Sequence, residues 1–230
     1  MKKHLTLALG LAITLLACED KEKKQTPAET QTAEPAAAAE TQEATQEAAA
    51  LPPTTLTDSR DSKTYKTVKI GNQTWMAENL NYETKEGSMC YDNKPANCQT
   101  YGRLYNWNTA IKACPSGWHL PSKDEWQTLE NFVGDENGKK LKAKSGWNDN
   151  GNGTDEYGFS ALPGGSFVDE CADVCESSGF LDVGDFGYWW SATNGGTYGA
   201  YFRRMQSFNE SVMDYDNFES SLLSVRCIKN

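Results

Sequence analysis

Histidine is almost absent from this chain of 230 residues, which contains only His4 and His119. His4 lies in an N-terminal segment typical of a signal peptide, so one histidine would remain after processing. A metal centre with several histidine ligands is therefore excluded, and any Ser-His-Asp or Cys-His catalytic arrangement would have to use His119. Because His119 stands between Trp118 and Leu120, just before a predicted helix start, we interpret it as a hydrogen-bonded structural residue.

Glycine motifs that bind phosphate are absent as well. The chain has 32 Asp and Glu residues, but no pair stands out in the sequence as a general acid and base. The sequence therefore favours a non-catalytic domain over an enzyme.

Aromatic residues are missing from the first 64 residues, and the beginning of this segment is typical of an exported protein. After Lys2 and Lys3 comes the apolar run LTLALGLAITLLA, which has the length of a signal-peptide core and is too short for a comfortable membrane span. The run leads into a cysteine as a bacterial lipobox does, so residues 1–17 are predicted to be a lipoprotein signal peptide and Cys18 the lipidated residue. The alternative is an ordinary signal peptide with a chance cysteine. Acyl chains on Cys18 would hold the protein on a membrane that it does not span.

Residues 18–56 lack aromatic side chains and contain few large apolar ones. Between Cys18 and Leu51 the apolar side chains are no larger than Ala, among many Glu, Thr, Gln and Pro residues. Such a segment cannot bury enough surface to offset the entropy lost on ordering, so we predict a disordered linker. It would act as a tether that holds a domain away from the lipid surface. The alternative is a segment that binds a partner.

Basic residues are in deficit, with 22 Lys and Arg against 32 Asp and Glu. Loss of Lys2 and Lys3 with the signal peptide would take the net charge from −10 to −12. An acidic chain does not suit nucleic acid or anionic lipid as a partner. All Trp, Tyr and Phe residues lie in residues 57–230, which are enough for one domain with a hydrophobic core and too few for two.

Six cysteines remain beside Cys18, an even number that indicates disulfides in an exported chain and allows fifteen pairings. They are Cys90, Cys98, Cys114, Cys171, Cys175 and Cys227. The local pairs Cys90–Cys98 and Cys171–Cys175 are natural choices because each would close a short polar loop, and they leave Cys114–Cys227. A four-cysteine zinc site is disfavoured because only one pair of cysteines has the close spacing that such sites use.

The pattern of apolar residues predicts an α+β domain with a short helix pair and an antiparallel sheet. Residues 65–78 alternate around Gly71-Asn72, which predicts a β-hairpin. Apolar spacing predicts a helix over 103–114, and a capping box from Ser122 to Glu125 predicts a second helix that ends near Gly134. Short strands are predicted at 188–193, 199–206, 210–215 and 221–228.

Several separated segments of residues 65–229 resemble, in the same order, the domain named the Fibrobacter succinogenes major paralogous domain. They are QTWMAENLNY, YGRLYNW, ACPSGWHLPSKDEW, GTDEYGFSALPGG, GYWWSAT and SVRCIK. That family is frequent in secreted proteins and lipoproteins of Fibrobacteres and Bacteroidetes, and it is similar in turn to C-type-lectin-like and formylglycine-generating-enzyme folds. The resemblance implies a C-type-lectin-like domain over residues 57–230 and supports the Cys114–Cys227 pair. The formylglycine-generating relatives use a pair of reactive cysteines near the end of the domain, where this chain has only Cys227.

One loop has the composition of a calcium site, because Asn, Asp and Glu crowd between residues 148 and 156. The candidate ligands are Asn148, Asp149, Asn150, Asn152, Asp155 and Glu156. Calcium prefers oxygen ligands on a flexible loop, although the spacing does not fit an EF-hand and the EPN and QPD motifs of sugar-binding C-type lectins are absent. The alternative is a hydrogen-bonded polar turn.

The late part of the domain supplies the residue types of a carbohydrate site, where sugar rings stack on aromatic side chains beside polar groups. The candidate ligand-binding residues are Trp189, Trp190, Tyr198, Tyr201, Arg203, Tyr215 and Asp216. Because Trp189 and Trp190 are adjacent on a predicted strand, they face opposite sides of the sheet, so one is expected in the core and the other exposed or covered by a loop. The alternative is that most of these residues are core, and that Arg203 and Arg204 pair with surface carboxylates.

Together these patterns predict a bacterial cell-envelope lipoprotein, lipid-anchored at the outer membrane or cell surface. Its domain is expected to bind polysaccharide or another glycan, with calcium as the candidate cofactor. One alternative is a structural or protein-interaction module of the envelope, and another is an oxidase of the formylglycine-generating type.

Overall fold

The structure, a computed structural model, describes residues 54–168 and 178–230. The predicted signal peptide, Cys18, nearly all of the predicted tether and the predicted Cys171–Cys175 pair lie outside these residues. In the described part of the chain, no helix is long and apolar enough to cross a membrane.

The described residues combine short helices with short strands. The strands are β1 Thr54–Thr57, β2 Thr64–Ile70, β3 Gln73–Met76, β4 Ser88–Met89, β5 Leu104–Tyr105, β6 Trp118–His119, β7 Ser166–Val168, β8 Gly179–Leu181, β9 Phe186–Asn194, β10 Ala200–Gln206, β11 Met213–Asn217, β12 Leu223–Ser224 and β13 Ile228–Lys229. The α-helices are α1 Pro95–Tyr101, α2 Trp107–Ala113, α3 Lys123–Val133 and α4 Asn137–Leu141. The predicted α+β class is confirmed.

These strands form a five-stranded sheet, a six-stranded sheet and a two-stranded sheet. Their strand orders are β1-β2-β3-β13-β6, β11-β10-β9-β12-β5-β4 and β7-β8. Within these sheets every pairing is antiparallel except that of β9 with β12.

The hairpin predicted around Gly71-Asn72 is confirmed as β2 and β3. Ile70 pairs with Gln73, so Gly71 and Asn72 are the two turn residues. Gly71 has a φ of 59°, in the left-handed region where glycine carries no steric penalty.

The predicted capping box is confirmed at the start of α3. The Ser122 hydroxyl accepts from the Glu125 amide at 3.2 Å, and the Glu125 carboxylate accepts from the Ser122 amide at 2.8 Å. The helix ends at Gly134, as predicted.

The helix predicted over 103–114 is shorter than expected. The helix α2 begins after Asn106, whose side chain accepts from the Thr109 amide at 3.0 Å and so caps the first turn. Leu104 and Tyr105 form β5 instead, because pairing with β4 and β12 satisfies their backbone groups in an extended conformation.

The strand predicted over 221–228 is wrong as a single element, because β12 and β13 belong to different sheets. The three residues between them are fully buried, and their backbone is bound by the end of β3 and the chain that follows it. The Val225 carbonyl accepts from the Leu80 amide at 2.8 Å, and the Cys227 carbonyl accepts from the Met76 amide at 3.0 Å. A segment with the composition of a single strand therefore concealed a crossing from one sheet to the other.

Two predicted disulfides are confirmed, Cys90–Cys98 and Cys114–Cys227. The first closes the polar loop around α1. The second joins the end of α2 to the chain between β12 and β13, and so links early and late parts of the domain.

Two main hydrophobic clusters fill the domain, and β9 contributes to both. Trp190 packs in one cluster with Tyr105, Phe202 and Val225. Trp189 lies in the other cluster, which also contains Trp126. The sheet that carries the predicted carbohydrate site therefore has core on both faces.

Candidate functional site

Trp189 and Trp190 face opposite sides of the sheet, as predicted, but both are completely buried. The Trp189 indole donates to the Asn79 side-chain oxygen at 2.8 Å, and the Trp190 indole donates to the Tyr105 carbonyl at 2.7 Å. Each ring is thus fixed by packing and by a hydrogen bond. Neither one presents a surface on which a sugar could stack.

The other predicted ligand-binding residues do not share one surface either. In the β10–β11 pair, Tyr201 lies opposite Asp216, whereas Tyr215 lies opposite Phe202. Paired residues share a face and neighbouring ones alternate, so Tyr201 and Asp216 are on the face opposite to that of Tyr215. Tyr198 lies before β10, where its amide donates to Asp216 at 2.6 Å.

Arg203 is a buried structural residue and is not available to a ligand, since its side chain is 0% exposed. Its Nε donates to Glu130 at 2.5 Å, its Nη1 donates to Asp214, and its Nη2 donates to the Lys123 carbonyl at 3.2 Å. The carboxylate pairing that we considered as the alternative is present, but in the interior. Burial raises the pKa of Glu130 above its usual value, more than Arg203 lowers it.

On the face of the sheet that carries Tyr215, aromatic side chains form a row that is partly open to solvent. We call it the aromatic strip and define it as Phe186, Tyr188, Phe202, Arg204, Phe208 and Tyr215. Phe208 is 72% exposed and Tyr215 is 37% exposed, while Tyr188 and Phe202 are buried beneath them. Large exposed aromatic side chains in one patch are typical of a binding surface.

The rings of the strip support one another. The Phe186 and Tyr188 rings are nearly parallel, with centroids 5.8 Å apart, and the Phe202 and Tyr215 rings are stacked at 5.9 Å. Phe208 packs edge-on against Phe186 at 5.7 Å. Exposed rings held by buried ones lose little freedom when a ligand binds.

Arg204 lies in the middle of the strip. Its guanidinium carbon is 4.1 Å from the Tyr215 ring centroid and 5.5 Å from that of Phe186, and its Nη2 donates to the Tyr215 hydroxyl at 2.7 Å. Arg204 therefore pairs with rings and not with the surface carboxylate that we considered. It adds a cation and several hydrogen-bond donors to an apolar surface.

The strip also has a polar edge near the start of β9, where Asp182 precedes the strand. The Tyr188 hydroxyl donates to Asp182 at 2.7 Å. Burial, with the nearby carboxylate, raises the pKa of Tyr188 well above its usual value, so the hydroxyl keeps its proton.

Among the residues of the aromatic strip, the sequence predicted only Tyr215 as a ligand-binding residue. The other five residues of the strip were missed. The signal was an alternation of period two, with Phe186 and Tyr188 on one strand and Phe202 and Arg204 on the next. The two adjacent tryptophans obscured it, because they suggested an exposed site at the most buried part of β9.

The candidate calcium ligands lie on one loop, where several of them bind the protein itself. Asn152 accepts from the Trp147 amide at 3.0 Å, and both carboxylate oxygens of Asp155 accept from Ser160, from its amide and its hydroxyl, at 2.7 Å each. Glu156 accepts from the Thr154 hydroxyl at 3.1 Å.

The other calcium candidates occupy the turn before these residues. Asn148, Asp149 and Asn150 are exposed, and Asp149 and Asn150 have positive φ angles of 52° and 61°. Among the described residues, no three His, Cys, Asp or Glu side chains are grouped to hold a metal ion. Calcium binding that uses Asn side chains stays a prediction.

Comparison with known proteins identifies the family of this domain. The family model described as the Fibrobacter succinogenes major domain matches residues 68–229. The chain belongs to this family. No curated protein and no solved structure matches the chain. The matched range runs from β2 to β13, so the Fibrobacter succinogenes major domain contains both observed disulfides and the whole aromatic strip.

The late cysteine of this Fibrobacter succinogenes major domain is not a free thiol. Cys227 is 0% exposed and forms a disulfide with Cys114. A disulfide sulfur of this kind is not the nucleophile that a thiol-dependent oxidase needs.

His119 is the hydrogen-bonded residue that the sequence predicted. Its Nδ1 lies 2.7 Å from the Asn230 side-chain oxygen, and its Nε2 lies 2.9 Å from a Glu125 carboxylate oxygen. Glu125 thus closes the capping box of α3 and also binds His119. Burial alone would raise the pKa of Glu125, but hydrogen bonds from Ser122 and His119 outweigh it and lower that pKa below its usual value.

Replacing Glu125 with alanine is expected to lower the free energy of unfolding at pH 7 by about 1 kcal/mol, as for other lost helix caps. Because the pKa is lower in the folded state, this contribution is complete above the usual carboxyl pKa and is lost as the pH falls through the folded value. Urea unfolding between pH 7 and about pH 2.5 measures the difference, which should shrink at low pH. The control Gln127→Ala, an exposed change on the same helix, should show no such dependence. The same pH dependence in both variants would contradict this role.

Proposed function

We propose that this protein is a cell-envelope lipoprotein whose Fibrobacter succinogenes major domain binds glycan, polysaccharide in particular, without catalysing a reaction on it. The observation that carries the proposal is the aromatic strip, where Phe208 and Tyr215 are exposed beside Arg204.

The chemistry of the strip suits a sugar chain better than a compact apolar ligand. Pyranose rings have apolar C–H faces that stack on aromatic rings, and hydroxyl edges that need hydrogen-bond partners. Phe208 and Tyr215 supply the rings, Arg204 supplies donors, and Asp182 supplies an acceptor. An open strip, unlike a closed pocket, accepts a chain that continues at both ends.

The proposed setting is the bacterial cell surface or outer membrane. Acyl chains on Cys18 would anchor the protein, and residues 19–56 would act as a tether that lets the domain reach material outside the cell. Display of a binding surface on a tether raises its local concentration near an extended ligand.

We also propose that the domain has a C-type-lectin-like fold. Support comes from the family resemblance, from short helices beside antiparallel sheets, and from the disulfide between the end of α2 and the last part of the chain. This fold assignment by itself does not decide what is bound.

A second candidate is a protein-interaction module of the envelope. Five of the seven tryptophans are buried, which leaves fewer indole rings for sugars than the sequence suggested. A patch of aromatic side chains with an arginine is also typical of the centre of protein interfaces.

Binding of the purified full-length protein to a glycan array and to soluble xylan, xyloglucan, pectin and β-glucan distinguishes the two candidates. We expect saturable binding to at least one of them, because the strip offers preformed stacking sites. Binding to none of them, together with capture of a defined envelope protein, would contradict the glycan proposal.

Thermal unfolding of the full-length protein, measured with calcium and with a chelator, tests the calcium prediction. If the loop from Asn148 to Glu156 holds calcium, the chelator should lower the thermal midpoint of unfolding. If the loop is only a hydrogen-bonded turn, the midpoint should not change.

A further inference from the structure

A cavity of about 570 Å³ lies away from the aromatic strip, between the start of β2, the chain after β3 and the end of α1. Its lining includes Lys63, Lys66, Asn79, Gln99 and Arg226, and no residue of the strip. The volume is in the range of sites that hold a small molecule.

Arg226 forms part of the cavity wall and has neutral hydrogen-bond partners. Its Nε and Nη2 donate to the Asn79 side-chain oxygen at 3.1 and 2.8 Å, and its other contacts are to the carbonyl oxygens of Phe159 and Ser160. Among the described residues these four hydrogen bonds are all that it makes, so at least one of the five guanidinium N–H groups has no acceptor there.

The charge of Arg226 is therefore buried without a paired carboxylate in the described part of the chain. The residue is 1% exposed, and its guanidinium lies 4.3 Å from the Phe159 ring centroid. Burial lowers the pKa of Arg226 to about 9, against weak opposing effects of Asp155 and Glu78, so the group is still charged at neutral pH. An unpaired buried cation is costly, and an anion beside it would offset part of that cost.

The rest of the lining carries charges of both signs. Lys63 and Lys66 join Arg226, whereas Glu78 is the one carboxylate among the lining residues described. The Lys63 ammonium is paired with Asp61 at 3.0 Å and donates to the Asn81 carbonyl at 2.6 Å, so it is fixed at the rim. Lys66 is exposed.

The lining is also rich in neutral polar groups that suit hydroxyls. Ser62, Thr64, Asn81, Gln99 and Thr100 are all among the lining residues. Such a set suits a small molecule that has several hydroxyls as well as a negative charge.

We infer that this cavity is a second binding site, for a small sugar acid whose carboxylate faces Arg226 and whose hydroxyls meet the amide and hydroxyl side chains of the wall. The site is independent of the aromatic strip, and its occupation does not require the strip to bind glycan.

Isothermal titration of the full-length protein with D-galacturonate, D-galactose and sodium sulfate tests this site. Galacturonate and galactose differ at one carbon, which carries a carboxylate in the first and a hydroxyl in the second. We expect saturable binding of galacturonate and at least tenfold weaker binding of galactose. Equal binding of the two sugars would overturn the role of the charge, and binding of sulfate without galacturonate would overturn the assignment to a sugar acid.

Charge reversal on β2 supplies the matched variants. Lys66→Glu changes a residue of the cavity wall, and Lys69→Glu makes the same change on an exposed residue of the same strand outside the wall. Lys66→Glu should weaken galacturonate binding about fivefold, as expected for reversal of one exposed charge, and Lys69→Glu should have little effect. An equal loss of galacturonate affinity in both variants would mean that the net charge of the protein alone is responsible. That result would overturn the inference that the cavity is a binding site.

Arg226→Gln removes the buried charge and retains a hydrogen-bond donor. A folded Arg226→Gln variant is expected to lose galacturonate binding, and full binding by that variant would overturn the inference. If the variant does not fold, the comparison of Lys66→Glu with Lys69→Glu decides whether the cavity binds galacturonate.

Discussion

Replacing Cys114 and Cys227 together with serine is expected to lower the free energy of unfolding by about 4 kcal/mol. This disulfide joins residues 113 apart in the sequence, so its loss frees a long loop in the unfolded chain. It also joins the end of α2 to the crossing between the two larger sheets. Urea unfolding of the oxidised wild-type protein and of the double variant measures the effect.

The second disulfide provides the control. Cys90 and Cys98 are 8 residues apart, so replacing both with serine should cost only about 2 kcal/mol. An equal or smaller loss for the Cys114–Cys227 pair would contradict the view that the long connection stabilises the domain more.

Replacing Arg203 with methionine is expected to destabilise the protein by about 4 kcal/mol, because it leaves a carboxylate without its partner in the interior. Glu130 has a side chain that is only 10% exposed, and Arg203 is its ion-pair partner. Burial already raises the pKa of Glu130, so loss of Arg203 should raise it further and let Glu130 take up a proton at higher pH. Urea unfolding at pH 7 and at pH 5 should show a smaller loss at the lower pH.

Arg204 is the matched control, since it is the next residue and carries the same charge on the other face of the sheet. Its partners are aromatic rings and it is only half-buried, so Arg204→Met should cost no more than about 1 kcal/mol. The same substitution should weaken glycan binding. Equal destabilisation by the two variants would contradict the structural role given to Arg203.

The parts of the fold that depend on local rules were predictable from the sequence. The Gly71 hairpin, the capping box at Ser122 and two disulfides follow from turn chemistry, capping and the choice of cysteine pairs that close short loops. Each of these signals acts over a few residues or over a counted set of cysteines.

Contacts between distant parts of the chain determined those strands that local sequence patterns did not predict. Residues 221–228 read as one strand, but Arg226 binds Asn79, 147 residues earlier, and this crossing divides the segment between two sheets. Similarly, Leu104 has helical spacing with Trp107 and Ile111, but it lies in β5 and pairs with β12.

Most of the residues predicted for the ligand-binding site do not lie in the aromatic strip. An aromatic surface on the late strands is present, and Tyr215 belongs to it, but Trp189, Trp190 and Arg203 are core. The side-chain alternation of a strand says which residues share a face and not which face the core covers. That choice depended on how α2 and α3 pack on β9 and β10, which no local pattern contains.

The most direct test of the proposed function is the affinity of the full-length protein for the polysaccharide that it binds best in the screen, before and after removal of the exposed rings of the strip. The variant Phe208→Ala/Tyr215→Ala removes two stacking surfaces, and the control Phe132→Ala/Tyr198→Ala removes two aromatic side chains that are 55% and 56% exposed elsewhere. We predict at least about a tenfold loss of affinity for the strip variant, since each stacking ring contributes about 1 kcal/mol, and no significant change for the control. Unchanged affinity in the strip variant, or an equal loss in the control, would contradict the proposal that the aromatic strip binds glycan.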